Sequence, residues 1–273
     1  MNKKSAFYQK LCASPHIVWS AIFIVVPLIM VAYYSFTDAQ GNFTMDNIYR
    51  LTDYTDTFLR SLWYGIIATL ICLVLAYPIA YIISQSKAKA QTTMIMLVMI
   101  PMWMNFLIRT YAWMNILEDS GVINKLLSFL HLPQAHMINT PGAVILGMVY
   151  NYLPYMILPL YTAISKINPR LIEAAEDLGC NKRKVFGKVV LPLSLPGIAS
   201  GITMVFVPAL TTFVISDLLG GSKILLIGNV IEQEFKQANN WHAGSGLSFV
   251  LMIFIIISMI ITNKYDKEGG SVL

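Results

Sequence analysis

Charge is what this sequence has least of. Asp, Glu, Lys and Arg make up 12% of its 273 residues, against 56% apolar types, and the mean hydropathy is +0.63. A soluble domain carries about 25% charged residues, and half that share leaves too little polar surface to coat a water-soluble fold of this size. The shortage argues against a soluble enzyme and excludes disorder. Cysteine is scarce as well: Cys12, Cys72 and Cys180 stand far apart with no Cys-x-x-Cys pair, which excludes a disulfide framework and a thiolate metal site and leaves buried or inert thiols. The four histidines (His16, His131, His136, His242) form no His-Glu-x-x-His and no metal pair. A phosphate-binding Gly-x-x-x-x-Gly-Lys-Ser/Thr loop is also missing, because Gly220-Gly221-Ser222-Lys223 lacks the spacing. The chain is therefore expected to carry no catalytic residue, cofactor or metal of its own.

What the sequence does have is long apolar runs. A helix crossing a bilayer needs about 20 apolar residues, and six stretches qualify: 17–36, 62–84, 93–117, 142–164, 195–219 and 243–262. The first comes after Lys3, Lys4 and Lys10, as the core of a signal peptide would, but its length and the absence of a small-x-small cleavage site mark a retained span. The expectation is an all-α integral membrane protein with six transmembrane helices in one domain over residues 1–273. Prolines 27, 78, 101, 154, 159, 196 and 208 fall in five of the spans. They fit ordinary membrane-helix composition and equally fit helices bent around a path. No inverted repeat is evident, nor a broken helix with polar residues at its centre.

Orientation is set by the basic residues. With the N-terminus in the cytoplasm, thirteen of the 19 lysines and arginines lie on inner segments, five (Arg50, Arg60, Lys125, Lys223, Lys236) lie on outer loops, and Arg109 lies within the third span. Both termini are then cytoplasmic. The net charge of +5 becomes a topology signal, and nucleic-acid binding is not expected.

The inner loop at residues 165–192 is patterned. Asn168 suits an N-cap and Pro169 the first helical position. Glu173, Glu176 and Asp177 come next, near the positive end. Leu171, Ala174, Ala175 and Leu178 recur at helical spacing, and Gly179 supplies a stop. A short amphipathic helix outside the membrane is expected. Glu173-Ala174-Ala175, three residues, Gly179, nine residues, then Val189-x-Leu191-Pro192 resembles the EAA loop of ABC-importer permeases, with Val189 where that pattern has isoleucine.

The likeness narrows further. Pro101-Met-Trp103-Met-Asn105-Phe-Leu-Ile-Arg109-Thr-Tyr111, Ser216-Asp217-Leu-Leu-Gly220-Gly221 and Leu226-Ile-Gly228-Asn229-Val230-Ile231 are similar to segments of the first permease subunit of spermidine/putrescine importers. This resemblance implies a type I ABC importer architecture and a multi-pass protein of the bacterial cell membrane. It implies ATP and Mg on a partner ATPase dimer, a sister permease completing a heterodimer, and an extracytoplasmic polyamine-binding protein. Glu173, Ala174, Ala175, Gly179, Leu191 and Pro192 would then couple to the ATPase.

A polyamine path needs acceptors and aromatic faces. Asp217, Trp103, Tyr111, Tyr152, Tyr155 and Asn105 are the candidates, each aromatic also fitting plain packing. Asp217 has two readings, an acceptor for substrate ammonium or an ion-pair partner of Arg109. Arg109, awkward beside a cation, suits a structural or gating role. Asp38, Asp46, Asp53 and Asp56 make the first outer loop acidic, and residues from about 225 to 235 suit a short interfacial helix. A permease for another substrate and an ion-coupled secondary transporter stand as the alternatives.

Overall fold

The computed structural model of the chain describes residues 14–236 and 238–270, the side chains of 222 and 263–270 excepted. Lys3, Lys4, Lys10 and Cys12 lie outside the described residues, as do the side chains of Lys264 and Lys267. Among the described residues the regular elements are helices, with one isolated antiparallel bridge between Thr37 and Phe43. The main helices are α1 (Ser14–Ser35), α2 (Thr55–Gln85), α3 (Ala88–Trp103), α4 (Phe106–Leu117), α5 (Val122–Phe129), α6 (Pro141–Ser165), α7 (Pro169–Asp177), α8 (Leu195–Thr211), α9 (Ile227–Lys236) and α10 (Trp241–Gly270).

Four helices are long and apolar enough to cross a bilayer unaided: Ser14–Ser35, Asp46–Ser84, Pro141–Ser165 and Trp241–Thr262. Two bent pairs raise the number to six if each pair is one span. The stretch 93–117 is not the single helix its hydropathy suggests. It turns by 87° between α3 and α4. Pro101 withdraws an N–H from the last turn of α3, Met104 is extended (ψ 146°), and Asn105 starts a new helix as its N-cap. The stretch 195–219 also breaks. Helix α8 ends at Thr211, Thr212 is extended, and Ser216–Gly220 forms a separate π-helical turn.

Two other π-helical turns sit immediately before prolines. Ala21–Val25 precedes Pro27, and Phe186–Val190 precedes Pro192. A proline ring clashes with the carbonyl four residues back and offers it no N–H. Each preceding turn is widened, with the Val26 N–H on the Ala21 carbonyl and the Leu191 N–H on the Phe186 carbonyl, five residues back.

The chain divides into two compact units. One comprises the described residues up to Thr55 with Val230–Phe254. In it Ser35 Oγ donates to the Ser245 carbonyl (2.8 Å) and Asn47 Nδ2 to the Thr37 carbonyl (2.9 Å). Gly246 lets the Asn47 backbone lie closer than a Cβ would permit. The α1 residues Ile22, Phe23 and Ile29 are exposed, as a lipid-facing helix requires.

The other unit comprises Asp56–Asn229 with the residues from Ile255 on. Its core is α6 packed against α8, where Met148, Met156, Leu160, Val205 and Ala209 are fully buried. The two helices meet at Gly197, where a Cβ would stand 2.5 Å from Ala163 Cβ and 2.8 Å from the Pro159 carbonyl.

Candidate functional site

The break after α8 is organised by one buried amide. Asn229, in the first turn of α9, is fully buried. Its Oδ1 accepts the Leu226 N–H (3.0 Å) and lies 2.6 Å from Ser216 Oγ. Its Nδ2 donates to the Phe213 carbonyl (3.0 Å) and to the Asp217 carboxylate. Ser61 of α2 accepts the Ile227 N–H at 2.7 Å. Gly228 lies against the broken backbone, since a Cβ there would come within 2.6 Å of the Thr211 carbonyl and 2.8 Å of the Thr212 carbonyl. Tyr152, buried on α6, donates its hydroxyl to the Pro208 carbonyl (3.3 Å), which the end of α8 leaves without a helical partner. Irregular backbone in a membrane protein survives only where protein or a polar cavity satisfies it, and these side chains satisfy it here.

Asp217 is exposed while its carboxylate is tied to the buried Asn229. The arrangement presents a negative group on a fixed mount. Arg109 is buried on α4, and its Nε and Nη1 find no acceptor. It takes part in neither of the ion pairs among the described residues, His136–Asp119 and Lys236–Glu232. The ion-pair reading of Asp217 with Arg109 is therefore not what the structure holds. Asn105 Oδ1 accepts the Leu107 N–H (2.9 Å), so this side chain serves as a helix cap. Trp103, Tyr111 and Tyr155 are exposed, and the Tyr152 and Tyr155 rings stand 6.5 Å apart.

Sequence reasoning missed Ser61, Ser216 and Asn229 as a unit. The signal was a lone amide inside Leu226-Ile-Gly-Asn-Val-Ile, since a polar residue in an apolar run at membrane depth marks a partner or a cavity. The helix expected near 225–235 forms as α9, but its first turn is buried, because Ile227 and Asn229 turn into the unit and not along a surface.

The loop at 165–192 folds as its caps dictate. Asn168 Oδ1 accepts the Arg170 N–H (3.1 Å), and α7 runs from Pro169 to Asp177. Gly179 takes φ +81° with open space around it, and its N–H closes on the Glu176 carbonyl at 2.8 Å. One face of α7 points away from the core: Leu171, Glu173, Ala174 and Leu178 are exposed, Leu178 at 86%. Ala175 instead turns inward with Ile172, against the buried cluster that contains Val185 and Val190. Leu191 and Pro192 are exposed.

In the first outer loop, Asp38 accepts the N–H groups of Asn42 (2.7 Å) and Gln40 (2.9 Å). These bonds, the Asn42 amide first, hold its carboxyl below the usual carboxylate range. Among the described residues no group of three His, Cys, Asp or Glu could hold a metal ion.

Helices of membrane-crossing length, two broken spans and an exposed short helix on a polar loop define a multi-pass membrane protein. Residues 7–266 match the family model of the binding-protein-dependent transport system inner membrane component, and the chain belongs to that family. It is a multi-pass protein of the inner membrane and a permease without catalysis of its own. The chain is 38% identical over 270 residues to the spermidine/putrescine transport system permease protein PotB of Haemophilus influenzae, covering 95% of this chain and 94% of that one. It is 38% identical over 253 residues to PotB of Escherichia coli, covering 89% and 92%. It is 29% identical to the inner membrane ABC transporter permease protein YdcU of Escherichia coli, covering 88% and 83%. Among solved structures, the fold is similar to a chain of a bacterial ABC transporter that imports alginate, with a TM-score of 0.77, 18% identity and coverage of 97% and 96%. It is also similar to a chain of the MetNI methionine ABC transporter, at 0.60, 17% identity and coverage of 81% and 97%. Family membership overturns the secondary-transporter alternative, even though the chain has the broken helices that alternative calls for.

Proposed function

We propose that this permease imports polyamines, spermidine and/or putrescine, as one half of a heterodimeric path. A related sister permease supplies the other half. A dimer of ATP-binding subunits docks on the exposed face of α7 through Glu173 and Ala174, with Ala175 seating the helix on the core and Gly179, Leu191 and Pro192 fixing the loop. A polyamine-binding protein delivers substrate from the outer side, and both termini face the cytoplasm. ATP and Mg belong to the partner ATPase. Residues 1–273 form one permease domain. Transport is alternating access, in which ATP binding and hydrolysis stabilise two states of the path unequally.

Within the path, Asp217 accepts a substrate ammonium. Trp103, Tyr111 and Tyr155 offer aromatic faces to the cation. Asn105 and Tyr152 keep the broken helix ends in place, and Arg109 acts as a structural or gating charge. The observation that carries this assignment is the Asp217 carboxylate, exposed and yet oriented by a fully buried amide. A hydrogen bond to a charged group is worth about 1.5–3 kcal/mol. Asp217→Asn should therefore lower ATP-driven spermidine uptake by roughly 10- to 100-fold while the complex still co-purifies with its ATPase. Undiminished uptake would remove Asp217 from the path.

A further inference from the structure

We infer that Tyr77, Phe186 and Ser194 form the mechanical link through which a movement of α7 reaches α2 and the start of α8. The inference rests on the proposed docking of an ATPase at α7. Three observations carry it. First, α7 is tied without slack to the next turn of the chain. Its Gly179 turn is closed by the Cys180 N–H on the Ala175 carbonyl (3.0 Å), and Asn181 caps the Lys182–Val185 turn through the Lys184 N–H (3.0 Å). That turn runs directly into the π-helical turn Phe186–Val190. A rigid run of this kind transmits displacement.

Second, the first residue of the π-helical turn is clamped by α2. The Phe186 ring stands in T-shaped contact with Tyr77 at 5.3 Å and 76°, and with Tyr81 at 5.8 Å and 86°. Tyr77 and Tyr81 are four apart and share a helix face. Edge-to-face contact of this kind favours one ring geometry over its neighbours.

Third, the same tyrosine holds the bend at the start of α8. The helical run Lys182–Leu193 meets α8 at 63°, and Ser194 is the residue between them. Ser194 Oγ donates to the Leu191 carbonyl at 3.0 Å. The Tyr77 hydroxyl, 2.7 Å away, is then the donor to Ser194. Both residues are buried, Ser194 completely and Tyr77 to 8% exposure, so water does not replace the bond. One side chain of α2 thus touches the middle and the α8 end of the segment that leads from α7 to α8. Tyr77 is a positioning residue, since it acts through the backbone it holds.

The test uses the full complex, with ATPase, sister permease and binding protein, in proteoliposomes with radiolabelled spermidine. Three variants are compared with the unaltered chain: Tyr77→Phe, Ser194→Ala and both together. Tyr77→Phe keeps the ring on Phe186 and leaves Ser194 its Leu191 acceptor, so the fold survives. The expected result is a fall of about five-fold in spermidine transported per ATP hydrolysed, the equilibrium shift that one buried hydrogen bond is worth. ATPase co-purification should stay unchanged, and the thermal midpoint of Tyr77→Phe should fall by no more than about 2–4 °C, the shift one buried hydrogen bond is worth in a chain this size. Ser194→Ala should lose more midpoint, because it also removes the Leu191 bond and strands the Tyr77 hydroxyl, and the double variant should transport no less per ATP than Ser194→Ala. An unchanged ratio of transport to hydrolysis in Tyr77→Phe would overturn the inference. So would a fall in uptake matched by lost co-purification or by a Tyr77→Phe midpoint lowered well beyond about 2–4 °C, which is what a merely structural role produces. If the unaltered complex shows no ATP-driven uptake, the functional reading fails and not the link.

Discussion

Replacing Asn229 by leucine tests whether the break after α8 is held by one side chain. Leucine keeps the branched skeleton with bulkier methyl ends, so hydrogen bonding is lost completely and some overpacking is added. The Leu226 N–H loses its acceptor at a buried position, and a buried donor without a partner costs about 1–3 kcal/mol. The Phe213 carbonyl keeps two donors, the Asp217 N–H and Ser216 Oγ, each at 2.9 Å, so its loss is small. The Asp217 carboxylate loses a charge-assisted bond, but it is exposed and regains water. The sum is about 2–4 kcal/mol, from the stranded amide and modest overpacking together. At the 2–4 °C per kcal/mol expected of a chain this size, the unfolding midpoint of the purified permease should fall by about 4–16 °C. Differential scanning fluorimetry in detergent reads that shift. Asn229→Asp separates the two sides of the network, because it keeps an acceptor for Leu226 and sets a second carboxylate against Asp217. It should destabilise less below the pH where the pair gains a proton than above it. A midpoint within 1–2 °C of the unaltered chain for Asn229→Leu, roughly the shift of an ordinary surface substitution, would refute the claim that this amide holds the break.

Three further outcomes rest on particular residues. At Gly179 the obstacle to a side chain is φ +81° and not space. Gly179→Val should therefore weaken co-purification of the ATPase, by at least the 1–2 kcal/mol that a left-handed L-residue costs, while Gly179→Asn should be tolerated; equal recovery of the ATPase with both would count against the loop's role. Gly197→Val places carbon 2.5 Å from Ala163 Cβ and should cost about 1–3 kcal/mol of stability by overpacking; an unchanged thermal midpoint would mean that α6 and α8 do not meet so closely. A cysteine at Asp53 should react with an impermeant thiol reagent in intact cells and one at Arg183 should not, and the reverse pattern would invert the orientation.

Much of the architecture was legible because it rests on local chemistry. The coupling-type loop could be read residue by residue. Asn168 and Pro169 start its helix and Gly179 ends it, since each acts on its own backbone. The inward turn of Ala175 with Ile172 was not legible, because which face of a short helix meets the core is decided by distant residues such as Val185 and Val190. The breaks at Met104–Asn105 and after Thr211 were hidden for a related reason. A hydropathy window averages across them, and a proline shows only that a bend is allowed. What fixes them is a capping Asn105 in one case and a remote amide, Asn229, in the other. The role proposed for Asp217 was visible as one of two readings, and the mount that orients it was not. The Arg109 ion pair suggested by charge alone is not seen among the described residues, because opposite signs in two spans do not fix which faces meet.

The central claim is that this chain forms part of an ATP-driven path for polyamines. Its most direct test is uptake of radiolabelled spermidine and putrescine, beside an unrelated cation such as thiamine, by the complete complex in proteoliposomes with and without ATP. The account requires ATP-dependent accumulation of one or both polyamines and none of thiamine. Accumulation of thiamine without either polyamine, or polyamine entry that proceeds equally without ATP, would contradict it.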